Sequence, residues 1–322
     1  MMRRSIVLPV LLSACFFVFA HSHAATRDNA ALPDGVQGYS LSGEALVSPP
    51  PNRETLGKLE AARTEYERNP ADADAIIWYG RRMAYTGDYR SAIRIFSEGI
   101  EKHPLDARMY RHRGHRYISV REFDRAIEDL ERASKLIEGN ENKIEPDGLP
   151  NALNIPVSTL HGNIWYHLGL AYYLKHDWTN AWRAFQAGFE TGGNDDNRVS
   201  TTHWRYMILR RMGKRGEAER ILDDITANMN VIENTVYHRL CLFYKGEVSL
   251  AEITAEGSDN PTGAAGAYGV ANWFFYNGDA AQARRRLKAL TASPGWDSFG
   301  YIAAEADLAF LYAPASSVEA SR

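Results

Sequence analysis

The chain has 322 residues, of which 45% are hydrophobic, 24% charged and 11% aromatic. This composition is typical of a globular chain that can bury a sizeable core, and it argues against intrinsic disorder. The formal net charge of −3 at pH 7 argues against nucleic acid or an anionic lipid surface as the main partner.

Residues 1–24 have the pattern of a secretory signal peptide. Arg3 and Arg4 precede an apolar run over 6–20, and Ser22-His23-Ala24 places small residues at the −3 and −1 positions of a cleavage site. Cleavage there predicts an exported chain, periplasmic or secreted, that begins at Ala25. The processed chain keeps 35 basic and 40 acidic residues, a net charge of −5.

A lipid anchor is the alternative for the same segment. Leu12-Ser13-Ala14-Cys15 resembles the lipobox of bacterial lipoproteins, and an acylated Cys15 would hold the protein at a membrane. The apolar run continues for five residues beyond that cysteine, which favours the cleaved, unanchored form.

Residues 25–52 contain Gly, Pro and Ser without a sustained period, and they predict a flexible leader. From Arg53 onward the apolar positions follow the period of a helix almost throughout, and no convincing alternating strand segment is present. Residues 53–72 predict a first helix that caps the helical array. Cys241, the one cysteine beyond residue 24, lies on a helical pattern and is predicted to be buried.

A short turn followed by an alanine recurs along the helical part of the chain. The six turns begin at residues 87, 121, 176, 213, 246 and 278, so that their starts are 34, 55, 37, 33 and 32 residues apart. Four spacings lie close to 34, and the fifth equals 34 with 21 residues inserted. Self-similarity of this kind indicates an array of stacked structural repeats.

The repeat resembles that of the tetratricopeptide (TPR) family, in which W-x2-L-G-x2-Y is followed by A-x3-F and P. The third unit matches best, and the first two match at their glycine, alanine and large apolar positions. The matching residues of the third unit are Trp165, Leu168, Gly169, Tyr172, Ala181 and Phe185.

The resemblance implies an all-α fold, a right-handed α-solenoid of about six units of antiparallel helix pairs with capping helices. Trp165 and Tyr172 are core positions in such a unit, and Arg113 is expected to reach a carboxylate or a carbonyl. The implied segments are 53–72 for the N-terminal cap, 73–138 for units 1–2, 139–160 for an inserted loop, 161–290 for units 3–6, 291–314 for a C-terminal capping helix and 315–322 for a tail.

The resemblance also implies a concave groove that binds a peptide or a protein partner. The residues at groove-facing positions are Arg81, Tyr85, Arg108, Arg111, His115, Tyr166 and Tyr173. The arginines suggest a partner with an acidic or C-terminal end, because guanidinium groups make paired hydrogen bonds to carboxylates. Family members that clamp a carboxylate carry Lys and Asn where this chain has Ile77 and Arg81, which argues against a receptor for chaperone tails.

The inserted loop is predicted to be an ordered flap over the groove near units 2 and 3, because it contains several apolar residues. Glu145 and Asp147 could form a cation site together with His161. An alternative metal-dependent or catalytic function would be centred on the same three residues and His115.

The sequence has no Ser-His-Asp order, phosphate-binding glycine loop, paired-cysteine spacing or HExxH helix. The favoured prediction is therefore an exported TPR scaffold, not an enzyme, with no cofactor and no bound metal. The alternatives are the metal-dependent or catalytic protein and a lipid-anchored assembly scaffold.

Overall fold

A computed structural model describes residues 32–254 and 261–312, with the side chains of 261 and 262 excepted. The predicted signal peptide over 1–24, the lipobox with Cys15 and the tail over 315–322 lie outside the described residues. The architecture below belongs to the unit that begins at Asp34.

Helices account for almost all of the regular structure, as predicted. Over residues 32–254 and 261–312, consecutive helices pack on each other along the chain, which gives six pairs between a first and a last helix. The helices are α1 Arg53–Arg68, α2 Ala73–Tyr85, α3 Tyr89–Lys102, α4 Ala107–Ser119, α5 Phe123–Leu136, α6 Leu160–Leu174, α7 Trp178–Gly192, α8 Asp195–Arg211, α9 Arg215–Arg220, α10 Thr235–Lys245, α11 Leu250–Thr254, α12 Pro261–Tyr276, α13 Ala280–Thr291 and α14 Phe299–Leu311.

The pairs α2–α3, α4–α5, α6–α7, α8–α9, α10–α11 and α12–α13 are the six predicted units. The predicted helical solenoid is therefore confirmed. The fourth and fifth units match the repeat pattern least well, and their second helices, as described, are short: α9 has six residues and α11 has five. The insertion lies between the second and third pairs.

The small residues of the repeat let the two helices of a pair approach closely. A Cβ atom added at Gly80 would lie 2.6 Å from the ring of Phe96, and one at Gly169 would lie 2.6 Å from the ring of Phe185. In the second unit, Gly114 faces Leu130 at 2.8 Å instead. The glycine of the first helix thus leaves room for the large apolar residue of the second.

The turn between the helices of each pair contains one residue in the left-handed conformation. Four of these are glycines, and the other two are Arg121 with φ 67° and His176 with φ 58°. Side chains rarely adopt this conformation because it brings Cβ close to the following carbonyl. Asp88, Asp177 and Asp279 directly follow such residues, and their carboxylates accept a hydrogen bond from the first turn of the next helix.

The segment before α1 differs from the predicted flexible leader. Strands β1 (Val36–Tyr39) and β2 (Ala45–Val47) form an antiparallel hairpin, although no alternating pattern was found in the sequence. The hairpin is held by side chains from elsewhere: Arg90 donates from Nε to Gln37 O at 2.6 Å, and Trp296 donates from Nε1 to Val47 O at 2.9 Å. Such distant partners leave no trace in a local periodicity.

The sequence predicts a capping helix over 291–314. Helix α14 caps the last unit and also makes contacts elsewhere. It packs on α12 and α13, and it also contacts α6 across the inner side of the solenoid. Glu305 forms an ion pair with Arg121 at 2.6 Å, and the buried Asp307 lies 3.0 Å from His176 and pairs with Arg211. The concave side is therefore partly filled by the chain's own last helix.

Across residues 32–254 and 261–312, no helix combines the length and the apolar character that crossing a membrane requires.

Candidate binding pocket on the inner surface

The three arginines predicted to line the groove are engaged by acceptors of the chain itself. Arg81 donates to Pro146 O at 2.8 Å, and Arg108 pairs with Asp106 and Asp74. Arg111 lies 3.3 Å from a carboxylate oxygen of Glu145. All of the acceptors except Asp74 and Asp106 belong to the insertion.

The insertion packs on the helices as predicted for a flap, but its residues 145–148 lie on the first two units, whereas the sequence placed the flap near units 2 and 3. Gly148 lies directly on Tyr85, so that any Cβ at this position would collide with the Tyr85 hydroxyl. Arg82 donates to Gly148 O at 2.8 Å. Farther along, the insertion forms an isolated bridge between Ile144 and Thr159, which closes it at its base.

Glu145 is the buried anchor of this flap. Its carboxylate lies 3.1 Å from His112 Nε2 and accepts a hydrogen bond from Asn163 Nδ2 at 2.7 Å. Burial raises the pKa of Glu145, but the charge of Arg111 and the hydrogen bonds from His112 and Asn163 outweigh burial and hold this pKa below 4.5. Burial and the charge of Arg111 lower the pKa of His112 to about 3, so this histidine is neutral.

These contacts keep the residues of the predicted cation site apart. Glu145 binds Arg111 and His112, and it does not meet Asp147 and His161 around a common point. Within the ranges that the structure describes, no three His, Cys, Asp or Glu side chains form a group that could hold a metal ion.

Two other expectations about single residues are confirmed. Arg113 makes paired hydrogen bonds to Asp129, with 2.7 Å for both the Nε–Oδ2 and the NH2–Oδ1 distance. Cys241 is fully buried, and burial raises the pKa of its thiol.

The remaining three predicted groove residues take different places. Tyr166 lines a pocket on the inner surface, and the ring of His115 lies 4.2 Å from that of His167 in the wall beside it. Tyr173 is only 1% exposed, with its ring against Trp178 and Trp204 and its hydroxyl 2.6 Å from Tyr268. Tyr173 therefore belongs to the core between units and does not face a ligand.

We call this cavity the inner pocket, and it has a volume of about 310 Å³. Its walls come from the insertion at 157–159, the first half of α6, the start of α8, the segment 233–237, Ala265 of α12 and Phe299 of α14. The pocket thus lies where units 3 to 6, the insertion and the last helix meet.

Neutral polar atoms line one wall of the inner pocket. His167 is 4% exposed and its Nδ1 donates to Asn163 O at 2.6 Å, which leaves the lone pair on Nε2. Among the described residues, Nε2 has no hydrogen-bond partner. Asn163 uses its Nδ2 on Glu145, so its Oδ1 also remains available as an acceptor.

Two tyrosines also line the pocket. The Tyr166 hydroxyl accepts a hydrogen bond from Trp204 Nε1 at 2.9 Å and lies 2.9 Å from the Tyr237 hydroxyl. Only one of the two hydroxyl hydrogens can lie between the tyrosines, so the other is available to a ligand. Burial raises the pKa of both hydroxyls, which therefore stay protonated at neutral pH.

Carboxylates complete the lining. Asp196 accepts hydrogen bonds from the backbone N–H groups of Ile232, Glu233 and Asn234 at 2.7 to 2.9 Å and so fixes this segment. Glu233 accepts from Asn151 Nδ2 at 2.6 Å. Burial and the charges of Asp147 and Asp196 raise the pKa of Glu233 in spite of the hydrogen bond from Asn151. None of the described residues that line the pocket is a lysine or an arginine.

An apolar edge adjoins the pocket at Glu233. The insertion residues Leu149, Leu153 and Ile155 are 70%, 64% and 48% exposed. Asn151, between them, bonds both Glu233 and Ile155 O, which ties the segment 149–155 to the pocket wall. We call these three residues the apolar edge.

Sequence reasoning identified Tyr166 and missed most of the other residues of the pocket. Asn163, Tyr166 and His167 lie at i, i+3 and i+4 on α6, which places polar atoms on one helix face. This signal was present in the sequence. The position of Glu233 depends on the capture of residues 232–234 by Asp196, and no local pattern shows that contact.

The packing of the third unit decides the type of repeat. Gly169 faces Phe185 inside the pair, Ala181 is fully buried, and Trp165 packs against the core beside the next helix. The motif residues thus fill the structural places that the repeat assigns to them. The protein is an α-solenoid of helix pairs, and the packing of its third unit resembles that of a TPR unit.

Solved structures with a similar arrangement include TPR proteins. A tetratricopeptide repeat protein from Parabacteroides merdae is 15% identical, with a TM-score of 0.48 over 79% of this chain and 92% of that chain. YrrB, described as a TPR protein with an unusual peptide-binding site, is 17% identical, with a TM-score of 0.40 over 73% of this chain and 92% of that one. No protein-family model and no curated protein matches this TPR-like solenoid.

Proposed function

We propose that this TPR-like solenoid is a scaffold that binds a peptide segment of a partner protein in the inner pocket, without catalysis of its own. The observation that carries the proposal is a pair of acceptors without a hydrogen-bond partner among the described residues that line the pocket: Nε2 of His167 and the buried Oδ1 of Asn197. Buried polar groups in proteins are nearly always paired, and an unpaired one in a cavity indicates a missing ligand or water.

The apolar edge favours a peptide over a small metabolite. A ligand confined to about 310 Å³ would not reach Leu149, Leu153 and Ile155, which lie outside the pocket. An extended segment can place one side chain in the pocket and its neighbours on the edge. Exposed leucines and isoleucines that lie together on a surface are typical of protein interfaces.

The predicted acidic end of the partner is not retained in this proposal. Arg81, Arg108 and Arg111 each contact acceptors of the chain itself, so a carboxylate would have to compete with these contacts. We propose that binding takes place after export and removal of residues 1–24. Anchoring through Cys15 would leave the pocket unchanged and would only hold the protein at a membrane.

Selection of random dodecapeptides on the purified exported chain tests the proposal. The Ala265→Leu variant fills the pocket, because Ala265 is buried in its wall. We expect the affinity of selected peptides for this variant to fall about tenfold or more.

The matched control is Ala281→Leu, which adds the same side chain on an exposed position of α13. It should leave the affinity unchanged, and thermal unfolding should show both variants folded. Equal binding of the selected peptides to Ala265→Leu and to the unchanged chain would remove the pocket from the proposal.

A further inference from the structure

We infer that the inner pocket selects a cationic side chain, a lysine or an arginine of the bound segment. This inference rests on the proposed function and names the chemistry of the group that enters the pocket. It rests on the carboxylate of Glu233, the free acceptor of His167 and the aromatic walls.

Glu233 supplies the charge. It lies at the pocket beside Asp196 and near Asp147. Among the described residues, no lysine or arginine forms an ion pair with any of these three carboxylates, and the charge of Arg81 acts on Asp147. Asp196 is saturated by three backbone N–H groups, while Glu233 has a single side-chain donor in Asn151. Asp147 also has an oxygen without a hydrogen-bond partner, but it does not line the pocket, so Glu233 is the lining carboxylate with unused acceptor capacity.

The neutral lining matches a donor-rich ligand. His167 Nε2 and Asn163 Oδ1 are acceptors, and an ammonium or guanidinium group carries only donors. Burial, with the charges of Arg111 and Arg116, lowers the pKa of His167 to about 3, so its lone pair stays available at neutral pH. A ligand carboxylate would instead face these acceptors and Glu233, and none of the described residues that line the pocket is a lysine or an arginine that could pair with it.

The aromatic walls add to the same preference. Tyr166, Tyr237 and Phe299 line the pocket, and ring faces attract cations. The two arginines whose charges act on His167 have contacts elsewhere. Arg111 pairs with Glu145, and the guanidinium carbon of Arg116 lies 5.3 Å from the ring centroid of Tyr89.

Three capped amino acids of similar size test the inference: N-acetyl-lysine methylamide, N-acetyl-norleucine methylamide and N-acetyl-glutamate methylamide. Binding is followed by the imidazole NMR signals of His167 in histidine-labelled protein, assigned with His167→Gln. We expect the lysine probe to bind about fivefold more tightly than norleucine, and glutamate to bind weakest.

Glu233→Gln keeps the size of the side chain and removes its charge, and it should reduce the preference for lysine over norleucine to within about twofold. Glu128→Gln removes one charge from an exposed position of α5 and should leave the preference intact.

Equal affinity for the lysine and norleucine probes, or tighter binding of the glutamate probe, would overturn the inference. Neither result would contradict peptide binding in the pocket. Selected peptides that depend on the pocket but show no enrichment in lysine or arginine would also overturn the inference. If the selected peptides bind the Ala265→Leu variant as tightly as the unchanged chain, the proposed function fails as well. The peptide selection gives that result independently of the three probes.

Discussion

Arg121 and Glu305 form a buried ion pair between the turn of the second unit and the last helix, 184 residues apart in sequence. The distance from NH2 to Oε2 is 2.6 Å, and the side chains are 3% and 7% exposed. Arg121 also donates to Ser119 O at 2.6 Å and to Trp296 O at 2.7 Å. Arg121 thus occupies a turn position where glycine would be the least strained residue, and its side chain holds α14 on the inner surface.

Replacement of Arg121 by Ala should destabilise the fold strongly. The change leaves Glu305 buried without its partner, and loss of one member of a buried pair costs about 3–5 kcal/mol. Arg121→Gly should be about 1 kcal/mol less damaging than Arg121→Ala, because glycine relieves the left-handed backbone. Urea unfolding followed by circular dichroism measures both.

Arg125→Ala is the control for this pair of variants. Arg125 bonds Glu122 on the exposed face of the same unit, and an exposed pair of this kind contributes no more than about 1 kcal/mol. A cost for Arg121→Ala as small as that for Arg125→Ala would show that α14 does not depend on the ion pair.

A methyl group at Gly169 should weaken the third unit. The added Cβ would lie 2.6 Å from the Phe185 ring, so the pair must separate or the ring must move, at a cost of about 1–3 kcal/mol. The same change at Gly57, on the exposed face of α1 with no atom within 4 Å of its added Cβ, should stabilise by up to about 1 kcal/mol. Thermal unfolding distinguishes the two signs, and a stabilising Gly169→Ala would contradict the close packing of α6 and α7.

The repeat array could be predicted because its determinants are local. The glycine, alanine and aromatic residues of a unit are separated by a few turns of helix, so their spacing appears directly in the sequence. The hairpin over 36–47 and the return of α14 could not be predicted in this way. The hairpin depends on Trp296, which donates to Val47 O, and the return of α14 depends on Glu305 and Asp307, which contact units 2 to 4.

The candidate site was predicted only in outline, for the same reason. Helix positions indicated which residues face inward, and Tyr166 does line the inner pocket. They could not show that the insertion would engage Arg81 and Arg111, or that unit 6 would cover Tyr173. Occupation of an inner surface by other parts of the chain is a tertiary property.

Stability should fall as the pH drops below 6.5. Burial lowers the pKa of His203 to about 3, and the pKa values of His112 and His167 are also about 3. Between pH 3 and 6.5 the unfolded chain therefore binds more protons, and the stability present above pH 6.5 is progressively lost. The loss at pH 5.5 is about 1.4 kcal/mol for each of these histidines.

His203→Gln removes one of these titrating groups. The difference in unfolding free energy between pH 7.5 and 5.5 should shrink by about 1.4 kcal/mol. Cys241→Ala, another change at a buried position, should lower stability equally at both values, because burial raises the thiol pKa and keeps it neutral. An unchanged pH difference in His203→Gln would mean that His203 is protonated in the folded protein.

The mass of the mature N-terminus should correspond to a chain that begins at Ala25. Small residues at 22 and 24 place the cleavage site there, and the apolar run that continues past Cys15 disfavours the lipobox. Intact-mass analysis of the protein purified from the bacterial envelope gives the answer. A diacyl or triacyl modification on Cys15 would establish the lipid-anchored form instead.

Photo-crosslinking in cells tests most directly whether the inner pocket holds a partner. p-Benzoylphenylalanine replaces Val236, which lines the pocket, or Ala281 on the exposed face of α13. We expect adducts from position 236 to a lysine- or arginine-containing segment of a partner protein, their loss in the Ala265→Leu variant, and none from position 281. Adducts from 236 that persist in Ala265→Leu, or a complete absence of adducts at 236, would contradict this expectation.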